Sequence, residues 1–311
     1  MCIISQQFSR TNNGIKFELL CHINIMTLML RFNRLLRLVC SSLLLCAWSL
    51  QAAPNYTEYA RLLKTYVESD GVRYKNWAEK SADIRALREV VSELGQSNVD
   101  ALSKAEQKAL YINLYNASML QAVLDNYPLK SVKEIGFLPF SIFKKNFIPL
   151  GDAEVSLDDV EQGILLKQYF DPRIHFAINC ASESCPPLRA EPFVGKRLDA
   201  QLDEQTRLFA GSDRAARVNA KRGAIVYSEL FKWYADDFAV KNPATFLNRY
   251  RTSMLSENAV VAWIDYDWSL NAAKNYLCRT LFHATRTGYT RNGPQAVSKK
   301  GRASMTMAPL I

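Results

Sequence analysis

The sequence predicts an α+β fold that is predominantly α, a single domain with several short strands and hairpins. Helical periodicity, with apolar residues three and four positions apart, recurs in most segments between residues 56 and 254. The extended segments are short and bounded by turn residues, which indicates small hairpins rather than one large sheet. The chain has no internal repeat and no Gly/Ser-rich linker, so these elements are expected to share one core.

Helix starts and stops place the elements of the N-terminal half. Ser103 and Ser131 are each followed three residues later by a glutamate, which predicts two capped helix starts. Gly95 and Pro128 mark helix ends. In order, we predict a helix at 56–67, a turn at 71–74, a helix at 76–94, the longest helix at about 104–126, a short helix from 131, a loop at 136–147 and a hairpin at 147–155.

The C-terminal half is predicted in the same way. Ser156 caps a helix, and Pro243 suits the first turn of another. In order, we predict a helix at 157–169, a buried strand at Ile174–Ile178, a helix at 197–209, a hairpin across 221–223, helices at 228–238 and 243–254, and a buried strand at Ala259–Tyr266. Trp233, Trp263 and Trp268 are expected in the core.

Residues 29–53 have the features of a secretory signal peptide. Three arginines precede an apolar run of about 13 residues, shorter than the ~20 residues that span a bilayer. Residues 49–52 resemble a small-residue cleavage site, so we expect cleavage after Ala52 or Ala53 and no stable membrane anchor afterwards. Residues 1–28 are then an over-extended start. A retained anchor is the alternative.

We therefore expect an exported protein, periplasmic or secreted, with one domain over residues 54–272. Residues 273–311 contain seven basic and no acidic residues and are predicted to form a disordered tail. The ends, 1–54 and 274–311, hold 12 of the 39 basic and one of the 30 acidic residues, which leaves a net charge of −2 for residues 55–273. This near-neutral balance argues against nucleic acid as a partner, and we expect a small-molecule or peptide ligand.

The segment Asp171–Arg189 concentrates reactive side chains. His175, Cys180 and Cys185 lie within eleven residues, and the rest of the expected exported chain has one other histidine and one other cysteine. Because side chains alternate along a strand, positions 175 and 180 would face opposite sides of the predicted strand. A direct contact between His175 and Cys180 therefore requires the strand to end near Asn179.

Three alternatives remain for these thiols. Cys180 is a nucleophile activated by His175, or Cys180 and Cys185 form a structural or redox-active disulfide, or both thiols are inert. A structural zinc site needs four ligands, and only His283, in the tail, could join the three of this segment. We therefore predict no metal and no cofactor.

Two asparagines, Asn113 and Asn116, lie within the apolar stripes of the longest predicted helix. Burying an amide without partners costs roughly 2–7 kcal/mol, so each needs specific hydrogen bonds. Either they bond neighbouring backbone groups, or one of them orients a catalytic imidazole or stabilises an oxyanion. Both are therefore candidate catalytic residues.

Three charged residues are candidates for substrate binding. Arg173 and Arg189 flank the His/Cys segment and could bind a carboxylate or phosphate, with surface ion pairing as the alternative. Glu161 lies in the first turns of a predicted helix, where an acidic residue also favours the helix dipole.

Five segments, in order, resemble the domain-of-unknown-function family 547: Tyr111–Ala117, Ser156–Glu161, Arg173–Cys180, Ser184–Arg189 and Tyr266–Asn271. The resemblance implies one domain that ends near Asn271, and it includes Asn113, Asn116, Glu161, His175 and Cys180 as motif positions. It also implies that some relatives have aspartate in place of Cys185, which makes a disulfide less general and Cys180 the better nucleophile.

The leading hypothesis is an exported cysteine-dependent hydrolase or acyltransferase. Cys180 would attack an acyl carbon, His175 would transfer protons, and Asn113 or Asn116 would orient the imidazole or stabilise the oxyanion. The alternatives are a non-enzymatic periplasmic binding or assembly module with a buried polar network, and a thiol–disulfide redox protein. The four-residue spacing of the thiols departs from the usual two-residue redox motif.

Overall fold

The computed structural model describes residues 54–274, in which helices surround one long central helix. The α-helices are α1 Thr57–Tyr66, α2 Tyr74–Ala78, α3 Ser81–Gly95, α4 Lys104–Asp125, α5 Ser141–Lys144, α6 Ile174–Ala177, α7 Leu198–Ala210, α8 Leu230–Trp233, α9 Ala235–Phe238 and α10 Pro243–Leu247. The predicted signal peptide, the predicted over-extended start and the predicted tail beyond residue 274 lie outside the described residues, as do Cys278 and His283.

The strands form three small sheets, so the fold class is α+β, predominantly α, as predicted. The strands are β1 Val67–Glu68, β2 Gly71–Val72, β3 Ile148–Leu150, β4 Ala153–Val155, β5 Ala216–Asn219, β6 Ala224–Ser228 and β7 Val260–Ile264. Each of the pairs β1–β2, β3–β4 and β5–β6 is antiparallel, and β7 lies parallel to β6. Within residues 54–274, no helix is long and apolar enough to cross a membrane.

Helix α4 is the centre of the structure. Ser103 and Glu106 form the predicted capping box at its start, with each side chain bonded to the other residue's backbone N–H. Sixteen of its 22 residues are buried, so neighbours cover it on nearly every side. Every residue from 109 to 120 is buried, so Asn113 and Asn116 must find partners inside the protein.

Two clusters of buried apolar residues make up the core. The first surrounds α1, α3 and α4. The second is built from aromatic rings, among them Phe176, Phe209 and Phe246. Helix α6 belongs to both, because Ile174 packs in the first cluster and Phe176 in the second. The candidate site lies beside this junction.

The last described residues form a segment that we call the strap, residues 267–273. It makes isolated β-bridges to three distant segments, at Val72, Ser131 and Ser182. Gly71 lies under it with φ +150°, and a Cβ at this position would come within 2.4 Å of a strap carbonyl oxygen. Only glycine therefore allows the strap to lie this close to β2.

The predicted strand Ile174–Ile178 is wrong, because Ile174–Ala177 forms helix α6 and only Ile178 is extended. The carboxylate of Asp171 accepts the backbone N–H of Arg173, and Pro172 lies between them at the first turn. An aspartate followed by proline is a helix start, and this local signal outweighs a short apolar run that has no periodicity of its own.

Other differences concern the ends and the burial of elements. Strand β7 was predicted to be buried, but it is an edge strand, and Val260 is 64% exposed. The predicted helix at 228–238 breaks at Tyr234 into α8 and α9. The predicted helix at 243–254 ends at Leu247, where the side chain of Asn248 bonds the backbone N–H and C=O of Leu255.

Candidate functional site

A cavity of about 380 Å³ lies where the two core clusters meet, and both thiols line it. Aromatic rings form much of its wall: Phe140, Phe143, Trp233, Tyr266 and Trp268. The rings of Trp233, Tyr266 and Trp268 pack on one another with centroid distances of 4.5–5.9 Å. His175 and Glu161 are among the few polar groups that line the same cavity. Such an apolar space with few polar groups is typical of a ligand site.

Cys180 and Cys185 are free thiols whose Sγ atoms lie 2.7 Å apart. Ala181 adopts the left-handed conformation with φ 59°, and the backbone N–H of Cys185 donates to the C=O of Ser182. These two turns fold the four intervening residues back on themselves, so the sulfurs meet although the residues are five apart in sequence. A left-handed alanine is an uncommon, strained conformation that the surrounding structure must hold.

The surroundings separate the acidities of the two thiols. Burial raises the pKa of Cys180, but hydrogen bonds with Cys185, Ser182 and Tyr266 outweigh burial and lower its pKa to about 7. Burial and the adjacent Cys180 sulfur raise the pKa of Cys185 well above its usual value. The pair therefore loses its first proton near neutrality from Cys180 and keeps the second.

Asn116 and Asn179 hold the turn that carries Cys180. The side chain of Asn116 donates to the C=O of Ala177 at 2.9 Å and accepts the N–H of Asn179 at 2.8 Å. Asn179 in turn donates to the C=O of Pro186 and accepts the N–H of Ala181. Asn116 does not line the cavity, so it positions the backbone before Cys180 rather than contacting a ligand.

Asn113 forms the same pair of bonds elsewhere. Its side chain donates to the C=O of Phe193 at 2.7 Å and accepts the N–H of Phe193 at 2.9 Å. Asn113 does not line the cavity either, and both asparagine side chains bond backbone groups.

His175 lies in α6 with its side chain almost fully buried, and its Nε2 is 2.8 Å from Oδ2 of Asp237. Burial lowers the pKa of His175, although the bond to Asp237 opposes this, so the imidazole is neutral at pH 7. A neutral ring can donate to Asp237 only as the Nε2–H tautomer, which leaves Nδ1 with a lone pair. Nδ1 has no hydrogen-bond partner among the described residues.

No hydrogen bond joins His175 to Cys180, so the direct pair of the leading hypothesis is not formed. The two residues share the cavity, but Cys180 bonds Cys185, Ser182 and Tyr266 instead. The thiolate form of Cys180 is thus favoured by hydrogen-bond donors and not by an imidazolium.

Glu161 is a buried carboxyl group at the cavity wall. It lies in a π-helix, Asp159–Leu166, a rare form that is frequent at functional sites. Burial raises its pKa, although hydrogen bonds from Tyr234 (2.8 Å) and Tyr115 oppose this shift. The Tyr234 ring also packs on the His175 ring with centroids 4.0 Å apart, so Tyr234 connects the carboxyl group to the imidazole.

Neither candidate arginine lies at this cavity. Arg173 is held by three carboxylates, Asp171, Asp199 and Asp203. Arg189 is held by Glu191 and Glu204. Both therefore follow the ion-pair alternative. Among residues 54–274, no group of three or more His, Cys, Asp or Glu side chains is placed to hold a metal ion.

Several residues of the site were not found from the sequence. Asp237 and Tyr266 lie 62 and 86 residues from their partners His175 and Cys180, so no local pattern connects them. Trp233 was expected in the core, but it is 44% exposed and lines the cavity. The one signal in the sequence is the segment Tyr266–Asn271, which carries part of the family resemblance and contains Tyr266.

Comparisons with known proteins agree with that resemblance. Searches of curated proteins and of solved structures found no significant match. Residues 99–210 match a family model described as "Protein of unknown function, DUF547". This range contains α4, the π-helix and the Cys180–Cys185 turn, but not Asp237 or Tyr266. The match confirms the predicted resemblance over residues 99–210.

Proposed function

We propose that this protein is an exported thiol–disulfide exchange enzyme in which Cys180 attacks and Cys185 resolves. One observation carries the proposal: two free thiols lie 2.7 Å apart at an apolar cavity, one with a lowered and one with a raised pKa. A thiolate is the attacking species in exchange, and a protonated neighbour completes it. The thiols are separated by four residues and not by the usual two of redox motifs, but the turn at Ala181 still brings the two sulfurs together.

The exchange has two steps. The Cys180 thiolate attacks one sulfur of a substrate disulfide, the substrate S–S bond breaks, and the departing sulfur leaves as a thiolate that takes a proton from water. Cys185 then loses its proton to solvent and attacks Sγ of Cys180. The second substrate thiolate leaves, and the Cys180–Cys185 disulfide forms. The substrate gains two electrons and the dithiol loses two; the reverse sequence oxidises a substrate dithiol.

The decisive experiment is a reduction potential, measured by equilibrating the protein with glutathione buffers. We use a background in which the five other cysteines are serine. A potential above about −300 mV is expected for an exchanging pair, and a lower value would mark a structural bridge and overturn the proposal. In the same background, Cys185→Ser should accumulate a mixed disulfide, and Cys180→Ser should form none. A Cys180 that stays unreactive supports the binding-module alternative.

The His175–Asp237 pair favours a second candidate, acyl transfer from Cys180. In this reaction the Cys180 thiolate attacks an acyl carbon, the leaving group departs with its electron pair and a proton from water, and Nδ1 of neutral His175 accepts a proton from the water that releases the acyl group. This candidate keeps the chemistry of the predicted hydrolase, but Asp237 and not an asparagine orients the imidazole.

The Cys185→Ser variant separates the two candidates. Exchange requires Cys185, so the variant stops after one mixed disulfide. Acyl transfer does not require it, so hydrolysis of a chromogenic thioester would persist in Cys185→Ser and be lost in both Cys180→Ser and His175→Gln. Sequencing the N-terminus of the protein recovered outside the cytoplasm tests export, with Ala53 or Pro54 as the expected first residue.

A further inference from the structure

Residues 136–140, which we call the aromatic loop, expose large apolar side chains beside the cavity. Phe137 is 97% exposed, Leu138 62% and Phe140 38%. Phe140 also lines the cavity and packs edge-on against Trp268 at 4.6 Å. The loop tip is therefore continuous with the cavity wall. Contiguous exposed apolar residues of this size on a protein surface mark an interaction site.

The backbone holds the loop in this outward position. Gly136 and Phe140 adopt left-handed conformations with φ 97° and 67°. Ser141 donates its N–H to the C=O of Leu138 and its hydroxyl to the C=O of Ile135. Ile135 and Ile142 are buried on either side and anchor the loop ends. Phe137 and Leu138 are thus presented by a closed turn and not by an unstructured stretch.

The charged residues around the loop are mostly lysines. Residues 127–150 contain four lysines and one acidic residue, Glu134, whereas residues 55–273 as a whole carry −2. Lys144 and Lys145 are exposed, and Lys133 lies over the Phe140 ring at 5.1 Å. An apolar tip with lysines at its base matches the interface of an anionic bilayer, in which rings enter the acyl boundary and ammonium groups reach the headgroups.

We propose that the aromatic loop inserts into the interface of an anionic phospholipid bilayer and turns the mouth of the thiol cavity toward the lipid. The tip projects outward, which suits a fluid surface better than a folded protein partner. The attachment is peripheral and reversible, because two apolar side chains and a few lysines bind far more weakly than a spanning helix. The inference does not depend on which reaction Cys180 performs.

Vesicle flotation of the full chain tests this proposal, with phosphatidylcholine vesicles that contain or lack 30% phosphatidylglycerol. The double variant Phe137→Ser/Leu138→Ser should partition at least about tenfold more weakly to anionic vesicles. The matched control Leu208→Ser/Met254→Ser removes two other exposed apolar side chains and should bind like wild type. The chain ends are identical in all variants, so a difference in binding between them reports the substituted side chains.

Two further measurements locate the contact. In a Phe137→Trp variant, brominated lipids should quench more fluorescence than in wild type, which reports insertion at this position. Lys145→Glu should weaken binding at low salt, and Lys75→Glu on α2 should not. Equal binding by wild type and Phe137→Ser/Leu138→Ser would overturn the proposal, as would the absence of extra quenching. The Cys180 alkylation rate of the double variant should stay at the wild-type value, so a failure here is distinct from a failure of the thiol chemistry.

Discussion

Asn116 offers the sharpest test of whether the amides of α4 are structural or catalytic. Replacing Asn116 with alanine removes the donor to the C=O of Ala177 and the acceptor for the N–H of Asn179, both buried. Each backbone group left without a partner costs about 1–3 kcal/mol, so we expect a loss of about 2–6 kcal/mol in the free energy of unfolding. This is a large part of the 5–15 kcal/mol typical of a folded domain.

Asn113→Ala is the matched control, because Asn113 forms two equivalent bonds to Phe193. Urea denaturation of both variants should give similar losses of unfolding free energy with similar m-values. The variants should differ in the alkylation of Cys180 at pH 6.5. Relaxing the turn in Asn116→Ala returns the pKa of Cys180 toward its usual value, and the rate should then fall by up to roughly tenfold, once the higher nucleophilicity of a more basic thiolate is included. The control should keep the wild-type rate.

Two results would refute this reasoning. A loss below about 1 kcal/mol in Asn116→Ala would mean that the backbone groups find other partners. Equal alkylation rates in the two variants would mean that Asn116 does not position Cys180. If Asn116→Ala is stable but has lost thiol–disulfide exchange or thioester hydrolysis, the amide of Asn116 has a catalytic role.

Three further predictions concern the surroundings of the thiols. Tyr234→Phe removes the buried hydrogen bond to Glu161 and should lower the free energy of unfolding by about 1–3 kcal/mol at pH 7, measured by urea denaturation. For His175, the folded pKa is below the unfolded value of 6.5, so the unfolded chain binds more protons and stability falls as pH drops below about 6.5. His175→Gln should lose this part of the pH dependence of the melting temperature; an unchanged slope would place the titration elsewhere. Gly71→Ala should destabilise the protein by more than about 1 kcal/mol, because its Cβ would clash with the strap; a melting temperature equal to wild type would show that the strap shifts freely.

Local signals in the sequence were sufficient for much of the fold. The Ser103 capping box and the hairpin at 147–155 depend on residues only a few positions apart, and both were predicted where the structure has them. The strand expected at Ile174–Ile178 was wrong, because a five-residue apolar run is the same in a buried helix and in a buried strand. The sequence Asp171–Pro172 is a local helix-start signal, and in the structure it outweighs the apolar run.

The candidate site could be predicted only in part, for a different reason. His175 and Cys180 are close in sequence, so their concentration in one segment was visible. Their hydrogen-bond partners were not visible in the sequence. Asp237 reaches His175 through the packing of α9, and Tyr266 reaches Cys180 because it directly precedes the strap. Which side chain activates a thiol depends on such long-range contacts, and the sequence alone therefore favoured an imidazole where the structure places hydroxyl and thiol donors.

The position of the strap has a consequence for biosynthesis. Its backbone bonds Ala181, Glu183 and Ser184, so the turn between the sulfurs is completed by a segment translated about 80 residues after Cys185, on the order of 4–16 s later at typical rates of elongation. Throughout that interval the nascent chain carries two unshielded sulfurs. A chaperone or an oxidant that meets the chain then encounters a turn without the Tyr266 hydroxyl and without the backbone bonds of the strap, and the full set of contacts around Cys180 forms only when residues 266–273 have been added.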